Sequence, residues 1–243
     1  MWYSLDTVSI PIHTISDLEF RRSIVKIKRA IVPIGSLEQH GEHLPVCTDS
    51  LIAESIAKLV ATKIGSFVLP PLFYGVSYEH SPMFNISLSH STLSRMISDV
   101  CLSLGQNGIK NIFLLNAHHG NTGVLQYIGQ DVIKKMPSDA KIFSLNYWQL
   151  MTSEFDHAGE VETSLVLALS PELVKMKRAK SNKKNLSKSK AAYSVITNNP
   201  GSFPQITGNG IWGNPRNATV RKGCKLLDEI VANISRVILY ELE

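Results

Sequence analysis

Residues 30 to 50 read Ala30-Ile31-Val32-Pro33-Ile34-Gly35-Ser36-Leu37-Glu38-Gln39-His40-Gly41-Glu42-His43-Leu44-Pro45-Val46-Cys47-Thr48-Asp49-Ser50. The first six are apolar and half of them β-branched, as a strand buried on both faces should be, although Pro33 removes one ladder donor. Polar side chains begin just past the end of that strand. Glu38 and His40 stand two apart, so on an extended or gently turning backbone both point to one side and reach the same small volume. Asp49 follows beyond Pro45, far enough for the chain to fold back and bring a third metal-capable group to the pair. The plainer alternative is a polar surface loop in which Thr48 or Asp49 caps the helix that begins near Ser50.

The pattern downstream alternates. Ile52, Ile56, Leu59 and Val60 recur at helical spacing from Leu51 to Ile64, with Gly65 as the stop. Phe67 to Pro70 reads as the next strand, and a helix fits Thr92 to Asn107 after a long loop. Asn111-Ile112-Phe113-Leu114-Leu115 is the clearest buried strand, followed at once by His118. A helix from Thr122 to Lys135 and a strand from Lys141 to Trp148 complete the series. Strands alternating with helices predict an α/β fold: a three-layer α/β/α sandwich with a mainly parallel sheet. Ligand crevices in such sheets lie outside the carboxyl ends of the strands, where Glu38, His40 and His118 all fall.

Two further clusters join the first, Asn116-Ala117-His118-His119-Gly120-Asn121 and Asp156-His157-Ala158-Gly159-Glu160-Val161-Glu162-Thr163-Ser164. The second opens a short helix predicted over Thr163 to Leu169. Glu162, Leu165, Val166 and Leu169 share one face of it, which places a carboxylate among apolar side chains. A cation would offset the cost of burying that carboxylate; a position in the first turn, supported by solvent and the helix dipole, is the alternative. Glu38, His40, Asp49, His118 and Glu162 form a nitrogen and oxygen donor set suited to Zn²⁺, Mn²⁺ or Fe²⁺. Five ligands exceed what a single catalytic zinc with an open position needs. They fit two divalent metal ions with a bridging carboxylate, a pair that can share a hydroxide and stabilise an oxyanion. His157 is the candidate proton donor to a departing nitrogen, with Asp156 to orient it or share the proton, although either could serve as a helix cap. His80 and His119 read as neighbours of the metals or of the substrate rather than ligands.

At 243 residues, with 44% hydrophobic and 19% charged side chains, the chain is expected to form one globular domain over 1–243. No membrane-spanning run or signal peptide is read, which predicts a cytoplasmic protein. Cys47, Cys101 and Cys224 are isolated, so neither a disulfide framework nor a thiolate zinc site is expected. The net charge of +5 comes from residues 175–190, which carry eight Lys or Arg and no acid. Without interleaved aromatics that run reads as a solvated, mobile loop rather than a nucleic-acid surface, with attraction of an anionic substrate as the alternative. The segment Asn198 to Asn217, rich in Gly, Pro and Asn, fits no regular element. A helix from Lys222 to Leu242 closes the chain.

Gly-Ser-Leu-Glu-Gln-His-Gly-x-His-Leu-Pro with its following Thr-Asp, then Asn-x-His-x-Gly-Asn, then His-Ala-Gly-x-x-Glu-Thr-Ser, resemble in order the signature blocks of the creatininase (creatinine amidohydrolase) family. The resemblance runs from about residue 15 to 240 and takes in the late Gly-x-Trp-Gly-Asn-Pro block. It implies a two-metal centre, hydrolysis of a carbon–nitrogen amide bond in a small cyclic or formylated substrate, and a homo-oligomer, commonly a hexamer. By position, Glu38, Asp49 and His118 would hold one metal, and His40 and Asp49 the other. Creatininase completes the second set with a glutamate where this chain has Gly120, which leaves Glu162 as the remaining carboxylate. His157 matches the family's catalytic histidine, and Asp156 stands in place of a glutamate. His119 and Ser153 replace aromatic residues that frame creatinine, whereas Trp148 is retained. The Gly-bearing pattern is also similar to relatives that deformylate a formamidopyrimidine nucleotide in archaeal flavin and deazaflavin biosynthesis. A noncatalytic metal-binding member is the competing expectation.

Overall fold

The computed structural model describes residues 9–181 and 199–241. Its strands are β1 (Ser9–Pro11), β2 (Arg29–Ile34), β3 (Ser66–Val68), β4 (Asn111–Asn116) and β5 (Lys141–Asn146). They form one parallel sheet in the order β1-β3-β2-β4-β5. The helices are α1 (Asp17–Ser23), α2 (Thr48–Ile64), α3 (His90–Gln106), α4 (Thr122–Ile133), α5 (Glu160–Leu169), α6 (Ser202–Thr207) and α7 (Val220–Glu241).

Strand periodicity sorts the core into two halves. Ile31, Val68, Phe113 and Leu115 face a cluster built by α2, α5 and α7, including Ile52, Ile56, Leu165, Ile230 and Ile234. Ala30, Val32, Ile34, Phe67, Ile112 and Leu114 face the other, where Leu93, Ile97 and Cys101 of α3 meet Leu125, Ile128 and Val132 of α4. Helices therefore cover both faces of a parallel sheet, which is the expected three-layer sandwich. Pro33 costs little: its carbonyl accepts from Leu72 on the side where β3 has already ended, so its missing N–H faces no regular ladder partner.

The structure corrects several boundaries. A fifth strand, β1, pairs at the edge beside β3, where three residues are too few to show periodicity. The 141–148 strand stops at Asn146, and Tyr147–Leu150 wind into a 3-10 turn. Helix α5 begins at Glu160 rather than Thr163 because Asp156 reaches over its first turn, its Oδ2 accepting from Val161 N at 2.8 Å. The 198–217 segment holds α6 and a 3-10 turn at Pro215–Asn217. Of the basic run 175–190, positions 182–190 lie outside the described residues; Met176–Arg178 form a 3-10 turn. Among the described residues no helix is long and apolar enough to cross a membrane.

Candidate metal centre

The carboxyl ends of β2 and β4 lie side by side, with Ile34 opposite Asn116. This register brings the loop carrying Glu38 and His40 against the one carrying His118. Two asparagines fix the junction. Asn116 Oδ1 accepts from His118 N at 3.0 Å. Asn121 Nδ2 donates to Gly35 O at 3.0 Å while its Oδ1 accepts from Val76 N at 2.9 Å. Asn121 thus ties the 75–80 loop to the end of β2.

Asp49 lies in the first turn of α2, but no side-chain cap bond forms there. Its carboxylate faces inward instead. Oδ1 lies 2.9 Å from His40 Nε2, and Oδ2 lies 3.1 Å from His118 Nδ1. Glu38 Oε2 is 3.3 Å from His118 Nδ1, and Glu162 Oε2 is 3.5 Å from His40 Nε2. Glu162 is buried with the others, which removes the solvent-supported alternative, and its Oε2 also accepts from Ala158 N at 2.6 Å. All five sequence-predicted donors therefore meet in one volume. Ligand atoms of Glu38, Asp49 and His118 form one close group, and those of His40, Asp49 and Glu162 form another. A third, Glu38, His40 and His157, overlaps them.

The donor set fits divalent cations on three counts. Glu38 Oε1, His40 Nε2 and Asp49 Oδ2 are buried yet make no well-formed hydrogen bond. The far nitrogens of the two imidazoles are oriented by the protein: His118 Nε2 lies 2.7 Å from Val76 O and His40 Nδ1 lies 3.2 Å from Glu38 O. With each ring's far nitrogen committed to a carbonyl, its near nitrogen is aimed at the carboxylates, where a proton sits in the metal-free chain and a cation would displace it, the arrangement usual for a ligating histidine. Finally, three carboxylates face two imidazoles. Burial works against charge on His40, but Asp49 and Glu162 outweigh it and lift the ring to about 10. Burial also raises Glu162, against the pull of His40, to about 8. A bound cation favours the charged form of each carboxylate.

His157 and Asp156 divide. The His157 ring packs 4.3 Å from that of His40, and its Nδ1 faces Glu38 Oε1 at 3.9 Å. Burial, together with His40 and His80, holds it well below the usual histidine range. Asp156 spends both oxygens on the start of α5: Oδ2 accepts from Val161 N and Oδ1 from Glu162 N at 3.3 Å. Burial raises it to about 7 against those hydrogen bonds. Between His157 and Glu162, Ala158 adopts φ 51°, a left-handed conformation costing about 1–2 kcal/mol in a non-glycine residue.

Three neighbours close around the donors: His80, which the sequence marked as a neighbour of the metals, and Phe203 and Glu79, which it did not. His80 is buried with Nε2 3.1 Å from Glu38 Oε1, and Phe203 of α6 packs 4.7 Å from its ring and 4.9 Å from that of His157. Glu79 approaches His118 Nε2 at 3.7 Å, and burial raises its carboxyl. It stands where Gly120 has no side chain: a Cβ there would lie 2.8 Å from Glu79 Oε1 and 2.1 Å from Val76 O. A Glu-His pair in an irregular loop was the available signal, and without the fold nothing aimed it. The donor cluster lines a cavity of about 10 Å³ with Phe155 and Phe203. Glu79 and His119 also border an adjoining cavity of about 490 Å³ lined by Tyr78, His90 and Asn199. A larger groove of about 850 Å³ runs along α4 and β5, away from the cluster, so chemistry rather than volume identifies the site.

The creatininase family model, described as creatinine amidohydrolase, matches residues 13–238. The chain is 28% identical over 254 residues to the creatinine amidohydrolase of Pseudomonas putida, covering 87% of this chain and 88% of that one. It is also 28% identical over 220 residues to the mycofactocin precursor peptide peptidase of Mycobacterium ulcerans, covering 85% and 83%. A solved manganese form of creatininase superposes with a TM-score of 0.80 at 24% identity, over 95% of this chain and 97% of that chain, a likeness of fold. With a family match spanning nearly the whole described chain, and these donors gathered at the carboxyl edge of its sheet, the chain belongs to the creatininase family of amidohydrolases, hydrolases of carbon–nitrogen bonds.

Proposed function

We propose that the chain hydrolyses a carbon–nitrogen amide bond of a small cyclic or formylated molecule, using two divalent metal ions. Glu38, Asp49 and His118 would hold one ion, and His40, Asp49 and Glu162 the other. Zn²⁺, Mn²⁺ and Fe²⁺ suit this mixture of imidazole and carboxylate. The observation that carries the reading is Asp49, whose two oxygens face different imidazoles at 2.9 and 3.1 Å. Bound there, such ions supply Lewis acidity toward the carbonyl and a water acidified toward neutral pH.

The chain's own residues do the rest. His157 holds and delivers a proton at Nδ1, the nitrogen turned toward Glu38. Asp156, with both oxygens on the backbone amides of α5, sets the start of that helix and so the reach of Glu162. Phe155 and Phe203 line the small cavity with apolar rings, which lower the local dielectric and strengthen each charge interaction inside. Substrate enters from the adjoining cavity past Glu79 and His119. The chain works as a homo-oligomer.

Metal analysis after chelator-free purification, paired with a hydrolysis screen over creatinine, formamidopyrimidine nucleotides, hydantoin-like rings and short peptides, tests this. Two ions per chain and turnover on a small amide are expected. A chain that takes up no metal, or binds two ions and cleaves none of these bonds, overturns the reading.

A further inference from the structure

Gln39 lies between two residues of the centre, is itself buried, and has no part in the chemistry described so far. Its amide orientation is fixed because Oε1 accepts from Gly41 N at 3.0 Å. That leaves Nε2 close to three groups: Gly210 O at 2.9 Å, His80 Nδ1 at 3.0 Å and His157 Nε2 at 3.2 Å. An amide nitrogen carries two hydrogens. The Gly210 carbonyl can only accept, so it takes one. A single hydrogen is left for two imidazoles.

Which ring receives it follows from their other contacts. His80 Nε2 stands 3.1 Å from Glu38 Oε1 and His157 Nδ1 3.9 Å from the same oxygen, so although neither contact is a well-aligned hydrogen bond, the carboxylate attracts a hydrogen on the nearer ring, His80, more strongly. With the hydrogen on Nε2, His80 Nδ1 is bare and accepts from Gln39. His157 then has no donor at its Nε2, but Gln39 O lies 3.1 Å away and can only accept. His157 satisfies both by carrying its hydrogen on Nε2 and donating to that carbonyl. The opposite assignment leaves a buried His80 nitrogen unpaired, at a cost of about 1–3 kcal/mol.

We infer that Gln39 and His80 act together as positioning residues that lock His157 in its Nε2–H form, so that Nδ1 presents a lone pair to the donor cluster. The arrangement survives protonation at Nδ1, because the imidazolium keeps the same Nε2–H bond to Gln39 O. The purpose assigned to the lock rests on the proposed role of His157, but its geometry does not.

NMR of histidine labelled with the magnetic nitrogen isotope, recorded on the Zn²⁺-loaded protein, reads the two tautomers directly. In the wild type, both His80 and His157 are expected with hydrogen on Nε2; hydrogen on Nδ1 of either neutral ring overturns the inference without any variant. His80→Leu removes the acceptor, so the free hydrogen of Gln39 passes to His157 Nε2 and His157 shifts to the Nδ1–H form. His80→Asn can return an acceptor near the former Nδ1 and should restore the wild-type tautomer. A His157 signal indifferent to His80→Leu, or equally altered by Leu and Asn, sinks the proposal. Zinc content is measured alongside: a normal tautomer without bound zinc counts against the metal reading alone, whereas two bound ions with the wrong tautomer count against the lock alone.

Discussion

Asp49 and His157 sit within one small volume and yet predict different failures. Asp49 offers one oxygen to His40 and the other to His118, the imidazoles of the two proposed metal sets, so Asp49→Ala should cost both metals and all turnover. His157→Ala should keep about two ions per chain while slowing turnover by about 10²–10⁴-fold, the usual contribution of a positioned acid or base. Metal analysis beside steady-state rates separates them, and an Asp49→Ala protein that retained both ions would remove the bridging role. His43 has its consequence in pH. Desolvation lowers its pKa to about 4, with His40 adding to the effect, and its Nε2 lies 2.9 Å from Thr163 Oγ1. Unfolded, it titrates near 6.5, so between pH 6.5 and 4 the unfolded chain binds more protons and stability falls as pH falls. His43→Gln should flatten denaturation midpoints across that window; an unchanged slope assigns the acid sensitivity elsewhere.

Helices α5 and α7 meet through Gly223, where a Cβ would fall 1.8 Å from the Ser164 carbonyl oxygen. Backbone cannot step aside cheaply. Gly223→Ala should therefore destabilise by about 1–3 kcal/mol, as overpacking does, and disturb the helix that carries Glu162. Gly129 in α4 is the control, since a Cβ there would meet only Ile142 atoms at 3.6 Å or more. Gly129→Ala should stabilise by about 0.5–1 kcal/mol through helix propensity. Urea denaturation of the two variants should move in opposite directions; equal shifts would contradict the packing read at this crossing. The same elements show what periodicity conveys: β2, β4 and the apolar stripes of α3 and α7 were legible because repeated burial on one face leaves a repeated pattern. The three-residue β1 was not, and the early start of α5 depends on a side chain outside the helix.

For the molecule as a whole, the centre joins the ends of β2 and β4 to the starts of α2 and α5, so metal ions should act as a clasp. Ligands that bind the folded chain at about 100 times their Kd add about 2.7 kcal/mol, which for a chain of this size raises Tm by about 5–10 °C. Chelation should lower Tm by that amount and Zn²⁺ or Mn²⁺ should restore it; an unchanged Tm would mean that the donors hold themselves together. The sequence by itself determined the alternating architecture, the family and five candidate donor side chains, because buried strands and the short polar clusters that follow them leave marks in consecutive positions. Only tertiary structure decided that Asp49 faces inward instead of capping α2, that Asp156 belongs to a helix start, and that His80 and Gln39 stand against His157. Those outcomes depend on distances between residues as far apart as Gln39 and Gly210, which no local pattern encodes and only the packed register of the sheet sets.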